Sequence, residues 1–324
     1  MVINILVFIL SIFFIVAGSR IFVNSSVKIA RKLKVSEFVI GLTLIALGTS
    51  LPELFSSVVA SAKHQSSLIL GTILGANIMD VTLVVGVAAI MGIIKLKRQV
   101  LKRDVYMMIF VVMLTGVLLL DKTLSRIDGI IFVILFLVYN FYIFKSKKIL
   151  ESGKHKEIIK HVSKEIKREV KKIEKIKISD ISLFVFGGLM LYLGAEGLVK
   201  AAVTIADSIG LSIVIIGIVI SIGTTVPELS VSITSSNRKK GEIAVGNSIG
   251  SVITNTLLIL GISAIIYPIK IIENNANFLL LFLLGATVFL GILIRSKWKI
   301  NRIEGAILSC IYILFWILTW KWLG

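Results

Sequence analysis

The sequence predicts an all-α membrane protein of ten transmembrane helices, arranged as two inverted five-helix repeats. Three observations lead there. The chain has 324 residues, 56% of them hydrophobic, and a mean hydropathy of +0.99, more apolar than a soluble domain of this length needs. Apolar runs of roughly 20 residues, the span of a bilayer core, recur along its whole length. A set of small and polar residues is also written twice at a nearly constant interval.

In chain order the predicted spans are 2–23, 37–62, 68–93, 104–120 and 127–145, then 180–202, 211–236, 242–266, 277–295 and 302–322. Residues 1–17 resemble a signal peptide, but no positive residue precedes the apolar run. The segment also has a counterpart in the second half, so it is expected to belong to the fold.

The repeat can be aligned residue by residue. Gly48, Thr49, Pro52 and Glu53 match Gly223, Thr224, Pro227 and Glu228, and Gly71, Gly75 and Gly86 match Gly246, Gly250 and Gly261, all at an offset of 175. Gly18, Val23 and Gly41 match Gly194, Val199 and Gly217 at 176, as does Arg126-Ile-Asp128-Gly129 against Arg302-Ile-Glu304-Gly305. Self-similarity of this kind marks a duplication. The expected division is a first repeat over 1–145, a basic linker over 146–179 and a second repeat over 180–324.

Charge orients the spans. The net charge is +18, and lysines crowd the linker between Lys145 and Lys177, which the excess of positive charge on cytoplasmic loops places inside. Counting outward, Lys28, Arg31, Lys32 and Lys34 fall inside, with Lys95, Lys97, Arg98, Lys102 and Arg103, then Arg238, Lys239 and Lys240, then Arg295, Lys297, Lys299 and Arg302. The outer loops receive only Lys63, Lys122, Arg126, Lys200, Lys270 and Lys321. Both termini are thus expected outside a plasma (cytoplasmic) membrane. Five spans is an odd number, so the second half enters upside down, as in secondary transporters that hold substrate near the midplane. The linker pattern Ile158, Val162, Ile166, Val170, Ile173 among lysines fits either a basic amphipathic helix on anionic lipid or a solvated linker. The basic residues lie between apolar runs, with no folded basic domain to hold a duplex, so nucleic acid is not an expected partner. Cys310 is the single cysteine and is expected to be a small apolar residue facing lipid or a helix. His64, His155 and His161 all fall in loops, which leaves a zinc or haem site almost without ligands.

The repeated motif carries the chemistry. Each copy puts a glutamate directly after a proline inside an apolar run, and an intramembrane acid marks a functional site by default. On a helix Thr49, Glu53 and Ser56 or Ser57 share a face, as do Thr224, Glu228 and Ser232. The third span adds Asp80 with Asn77 beside it, and the eighth Asn247, Ser251 and Asn255. Pro52 has no N–H for the carbonyl of Gly48, nor Pro227 for that of Gly223, so the carbonyls of residues 46–49 and 221–224 become candidates to face an ion. Carboxylates, hydroxyls, amides and carbonyls are hard oxygen donors that suit Ca²⁺ and Na⁺ rather than zinc or copper. Three Na⁺ would neutralise Glu53, Asp80 and Glu228, and one Ca²⁺ would leave a single negative charge, or none where one carboxyl keeps a proton. Close packing is the expected role of the glycine pairs 71/75 and 246/250. Glu196, Asp128 and Glu304 lie toward span ends, where snorkelling or loop roles are expected.

At these residues the chain resembles the cation/calcium exchanger superfamily, in its sodium/calcium exchanger branch. The segments Gly48-Thr-Ser-Leu-Pro-Glu53 with Gly71 through Asp80, and Gly223-Thr-Thr-Val-Pro-Glu228 with Gly246 through Asn255, look like the two alpha repeats of that family. The resemblance implies an antiporter in which Na⁺ and Ca²⁺ share a midplane site by alternating access. Glu53 and Glu228 would be the central ligands. Thr49, Thr224, the carbonyls of Ala46 and Ser221, and Ser50, Thr225 and Ser251 would complete the shells, with Asn77, Asp80 and Asn255 beside them. It also implies that the first and sixth spans slide as a pair against the other eight. One departure is that the family usually has asparagine at the position of Asp80 and aspartate at that of Asn255; here the two are exchanged. H⁺/Ca²⁺ exchange and a K⁺-assisted form are the alternatives within the class. An intramembrane hydrolase and a cation channel are the readings outside it: the first lacks a histidine or second polar cluster in a span, and inverted repeats favour alternating access over the second. No enzyme activity and no cofactor are expected, and the functional unit is expected to be a monomer.

Overall fold

The computed structural model describes residues 1–33, 46–96, 98–152, 177–237, 241–271 and 275–323. At bilayer depth a backbone must satisfy its own polar groups, and each predicted span is helical over most of its described length. The first half contains α1 (Val2–Lys32), α2 (Ala46–Gly48), α3 (Leu51–Ala62), α4 (Ser66–Met79), α5 (Val85–Met91), α6 (Arg98–Leu118) and α7 (Arg126–Ser152). The second contains α8 (Ile178–Ile209), α9 (Ile213–Thr224), α10 (Val226–Asn237), α11 (Gly241–Ile253), α12 (Leu260–Ile266), α13 (Asn275–Lys297) and α14 (Arg302–Leu323). Among the described residues nine helical stretches are long and apolar enough to cross a membrane. The shorter α3 is the described end of the predicted span 37–62, of which residues 37–45 lie outside the described residues.

Several boundaries move. The helix predicted over 2–23 continues to Lys32, so Lys28, Arg31 and Lys32 ride on α1 rather than in a loop. The predicted 127–145 extends to Ser152, and 180–202 becomes 178–209. Hydropathy stops at the edge of the apolar run, whereas helical hydrogen bonding continues into the basic flank. Most of the linker, residues 153–176, and the cations at 238–240 lie outside the described residues.

The third and eighth spans form the centre. Of the apolar window within Ser66–Met91, 83% is buried, and within Gly241–Ile266 72%, against 17% for Arg126–Ile143. Each central span contains one π-helical turn at its midpoint, Asp80–Val84 between α4 and α5 and Thr254–Ile259 between α11 and α12. The two turns are repeat equivalents and carry Asp80 and Asn255.

The halves interlock through close backbone approach. A Cβ on Gly71 would collide with the Val214 carbonyl oxygen, and one on Gly217 would stand 2.7 Å from that of Leu68, so α4 and α9 touch main chain to main chain. Gly86 against Gly305 and Gly129 against Gly261 repeat this at α5/α14 and α7/α12. Gly246 and Gly250 differ from Gly71 and Gly75: among the described residues, a Cβ added at either would meet nothing within 4 Å.

Among the described residues four two-residue strands, which hydropathy does not reveal, add a second interlock. β1 (Ile94–Lys95) pairs antiparallel with β4 (Lys299–Ile300), and β2 (Thr123–Leu124) with β3 (Ile269–Lys270). Each ribbon takes one strand from each half, and the two ribbons are repeat equivalents, β1 corresponding to β3 and β2 to β4. Asp128 and Glu304 serve as reciprocal N-terminal caps. Ser125 N donates to Asp128 Oδ2 at 2.8 Å and Asn301 N to Glu304 Oε2 at 2.8 Å, the capping-box exchange. That is a terminal role of the kind expected for them.

Candidate cation-binding site

The duplicated motif breaks its helix twice in the same way. α2 ends at Gly48 and α3 begins at Leu51, with Ser50 between them at φ −87°, ψ 7°. α9 ends at Thr224 and α10 begins at Val226, with Thr225 at φ −83°, ψ 1°. Proline is then the second residue of the new helix, where a missing N–H costs nothing. The glutamate is the third, in the first turn, where the helix dipole favours a negative group. Ser50-Leu-Pro-Glu53 and Thr225-Val-Pro-Glu228 both read as capping boxes, yet Ser50 makes no side-chain cap bond. The Glu53 and Glu228 carboxyls are aimed elsewhere.

They are aimed into the protein and at the other half. Glu53, Asp80 and Glu228 are each 1% exposed and lie within electrostatic reach of one another. Thr225 Oγ1 donates to Glu53 Oε1 at 3.5 Å, with Thr224 beside the same carboxyl. Thr49, the equivalent of Thr224, lies beside Glu228. Each acid is thus attended by hydroxyls of the opposite repeat. Glu53 Oε2, Glu228 Oε2, both oxygens of Asp80 and the hydroxyls of Thr49, Ser50, Ser57 and Ser232 are buried without a hydrogen-bond partner. Buried polar groups are ordinarily paired, so this cluster of orphaned oxygens is chemically suited to a cation. Among the described residues no three carboxylate, imidazole or thiolate groups converge on one point. A bound cation would therefore draw on hydroxyls and amides as well as acids.

The remaining predicted residues divide. Ser221, Thr224, Thr225 and Asn77 are fully buried, and Ser50, Ser251 and Asn255 nearly so. Gly75 leaves room for Ser221, whose Oγ would stand 2.8 Å from a Cβ there. The Ser221 carbonyl accepts from Thr225 N at 3.0 Å, and its hydroxyl donates to the Ile218 carbonyl. The Gly48 carbonyl, freed by Pro52, accepts from Ser19 Oγ of α1 at 2.9 Å. At its equivalent beside Pro227, the Gly223 carbonyl, Ala195 takes the place of Ser19 and brings no hydroxyl. Ala46 is in α2, and nothing is described of its side chain.

Asn77 spends both ends of its amide on a bridge. Its Nδ2 donates to Thr256 Oγ1 at 3.1 Å, and its Oδ1 accepts from Asn255 Nδ2 at 3.0 Å. Asn255 Oδ1 is left unpartnered and buried. Thr256 is not among the residues expected from the sequence, although the run Thr254-Asn255-Thr256 inside an apolar span is its signal there. Ser57 and Ser232 appear on the predicted faces but outside the predicted ligand set, and each is buried one turn beyond its glutamate.

Comparisons with known proteins agree with this geometry. The chain is 35% identical to the sodium/calcium exchanger MaX1 of Methanosarcina acetivorans, over 97% of both chains. It is 32% identical to a putative antiporter, CaxA, of Alkalimonas amylolytica, over 90% of this chain and 91% of that one. The solved structure of the sodium–calcium exchanger NCX_Mj soaked with Na⁺ and Ca²⁺ superposes with a TM-score of 0.62 at 28% identity, over 97% of each chain. The family model described as sodium/calcium exchanger protein matches residues 3–145 and again 179–321. With each half matching separately and the orphaned oxygens meeting between them, the chain belongs to the sodium/calcium exchanger family.

Proposed function

We propose that the chain is a secondary antiporter that exchanges Na⁺ for Ca²⁺ by alternating access at one buried site shared by its two repeats. The observation that carries this is the crossed placement of the two acids: Thr225 donates to Glu53 with Thr224 beside it, and Thr49 lies beside Glu228. An acid in each half, attended by hydroxyls of the other, makes occupancy of the site sensitive to how the halves sit. That is what couples an ion load to a change of access.

The ligand set is Glu53, Glu228 and Asp80 as charged donors. Thr49, Ser50, Thr224, Thr225, Ser251 and Asn255 supply neutral oxygens, with the Ala46 and Ser221 carbonyls beside them and Asn77 holding Asn255 in place. Three Na⁺ match three carboxylates, and one Ca²⁺ fills the same oxygens less one charge, so the two loads exclude each other. The repeats are 1–145 and 180–324, joined by a basic cytosolic linker that can rest on anionic lipid, with both termini outside the plasma membrane. A single copy holds both halves of the site, and we assign it no catalytic chemistry and no cofactor.

The test is Ca²⁺ uptake into proteoliposomes driven by an outward Na⁺ gradient, with K⁺ and pH varied separately. Uptake that needs Na⁺, carries net current and is lost in Glu53→Gln is the expected result. Uptake driven equally by a proton gradient without Na⁺ would overturn the choice of coupling ion, and a strict K⁺ requirement would replace it with the K⁺-assisted form.

A further inference from the structure

Glu196 lies on α8 away from the ion site, and its Oε1 accepts from Lys200 Nζ at 2.9 Å and from Lys63 Nζ at 3.5 Å. Lys200 is one turn along the same helix. Lys63 follows α3, the helix that carries Glu53, so this second contact joins α8 to the body around the site. α8 itself is tied to α1, its repeat equivalent, by the Lys32–Asp180 ion pair at 2.5 Å and by the Gly18/Gly187 approach.

The repeat sets a different chemistry at the mirrored place. Glu196 corresponds to Arg20 at an offset of 176, and Lys63 to Arg238 at 175. A carboxylate facing a lysine on one side is thus replaced in sequence by two arginines on the other. Arg238 lies outside the described residues, and Arg20 is exposed with no carboxylate partner among them. The two mouths differ accordingly. On the Arg20 side a cavity of about 380 Å³ opens between α1 and α10, lined by Arg20, Thr49, Pro227 and Ser230, and it reaches the broken helix beside the site. The equivalents of those last three residues are Thr224, Pro52 and Phe55. Thr224 and Pro52 are buried and Phe55 is half-buried, where α8 packs along α3.

We propose that Glu196 is a gate-positioning residue. By bridging Lys63 it adds an ion-pair latch to the mouth on its own side, while Arg20 adds none to the opposite mouth, where Ser19 donates to the Gly48 carbonyl, so the unloaded protein rests open on the Arg20 side. This rests on the alternating-access reading above, under which the Arg20 side is cytosolic.

The experiment uses the full chain in proteoliposomes without Na⁺ or Ca²⁺, in a Cys310→Ser background. Two reporters, Ser230→Cys and Phe55→Cys, stand at equivalent positions on the two sides, and a membrane-impermeant thiol reagent labels them. Faster labelling of the Ser230→Cys reporter is expected. Adding Glu196→Gln should slow that reporter and speed the Phe55→Cys reporter, each by roughly two- to fivefold, the scale of a partly exposed ion pair. The charge swap Lys63→Glu with Glu196→Lys should move both back toward the starting rates. No change in either reporter, or a change of both in the same direction, would overturn the latch. Na⁺-driven Ca²⁺ uptake in the same vesicles is a separate readout: its absence in the parent would overturn the assigned coupling ion, while the labelling result still decides the latch.

Discussion

Asn255 donates its side-chain amide to the Asn77 carbonyl oxygen at 3.0 Å, and this contact joins the two halves of the protein at their centre. Asn255 sits in one π-helical turn, and Asn77 lies three residues before the other. π-turns occur often at functional sites because the widened turn re-aims side chains. Here one turn carries Asp80, which lies within electrostatic reach of both glutamates, and the other carries Asn255, whose Oδ1 is buried and unpartnered.

Removing this bridge should cost stability before it costs selectivity. Asn77→Ala removes two hydrogen bonds and leaves Thr256 and Asn255 without their partner, whereas Asn255→Ala removes one. Each buried bond lost with a stranded partner costs about 1–3 kcal/mol. The melting temperature in detergent should therefore fall further for Asn77→Ala than for Asn255→Ala.

The two glutamates should be indispensable and equivalent. Glu53→Gln and Glu228→Gln preserve shape and remove one charge each from a site of three. Ligand charge sets Ca²⁺ affinity over several orders of magnitude, so Ca²⁺ uptake should fall by about a hundredfold in either variant, with folding intact by gel filtration.

Asp80 and Asn255 are equivalents, one an acid and the other a neutral amide, and exchanging them should be better tolerated than losing the acid. Asp80→Asn alone should weaken Ca²⁺ binding by about tenfold or more through the lost charge. Adding Asn255→Asp returns the charge on the other side of the pseudo-twofold. The bridge survives if the Asn77 amide flips: its NH₂ then donates to the new carboxylate, and its oxygen accepts from the Thr256 hydroxyl. Ca²⁺ uptake in the double variant should exceed that of Asp80→Asn; equal loss in both would show that the charge must sit on the first repeat.

The glycine contacts predict sharply divided outcomes. Gly71→Ala would drive a methyl into the Val214 carbonyl oxygen and must push α4 off α9, so little folded protein should be recovered. Gly116→Ala and Gly285→Ala meet nothing within 4 Å. Within a helix these should raise stability by up to about 1 kcal/mol through reduced backbone freedom. Thermal denaturation of the three variants separates the cases.

The sequence carried the architecture because the duplication left a residue-by-residue register. Glu53 against Glu228 and Gly86 against Gly261 needed only an offset, and the odd number of spans required inversion. The helix break was legible from Pro52 and Pro227. The π-turns were not, because shifting a hydrogen bond by one residue demands no special side chain and Asp80 reads as well on an α-helix. β1 through β4 were hidden for a related reason, since two residues cannot show an alternating pattern. The use of the Gly48 carbonyl by Ser19 depends on where α1 lies against α2, which periodicity does not encode. Which oxygens gather around Glu53 and Glu228 was readable as residue types on faces. The crossing of those faces between repeats emerged only in three dimensions.

The two short ribbons set a mechanical limit. β1 with β4 and β2 with β3 each clasp one half to the other, and they lie in the turns that join the third to the fourth and the fourth to the fifth span of each repeat; among the described residues α1 and α8 carry no strand. Motion that sheared these six spans against one another would have to unzip main-chain pairing, while displacement of α1 with α8 leaves every rung intact. Main-chain pairing thus clamps those six spans across the two halves through four dipeptides in their connecting turns, and α1 and α8 lie outside the clamp.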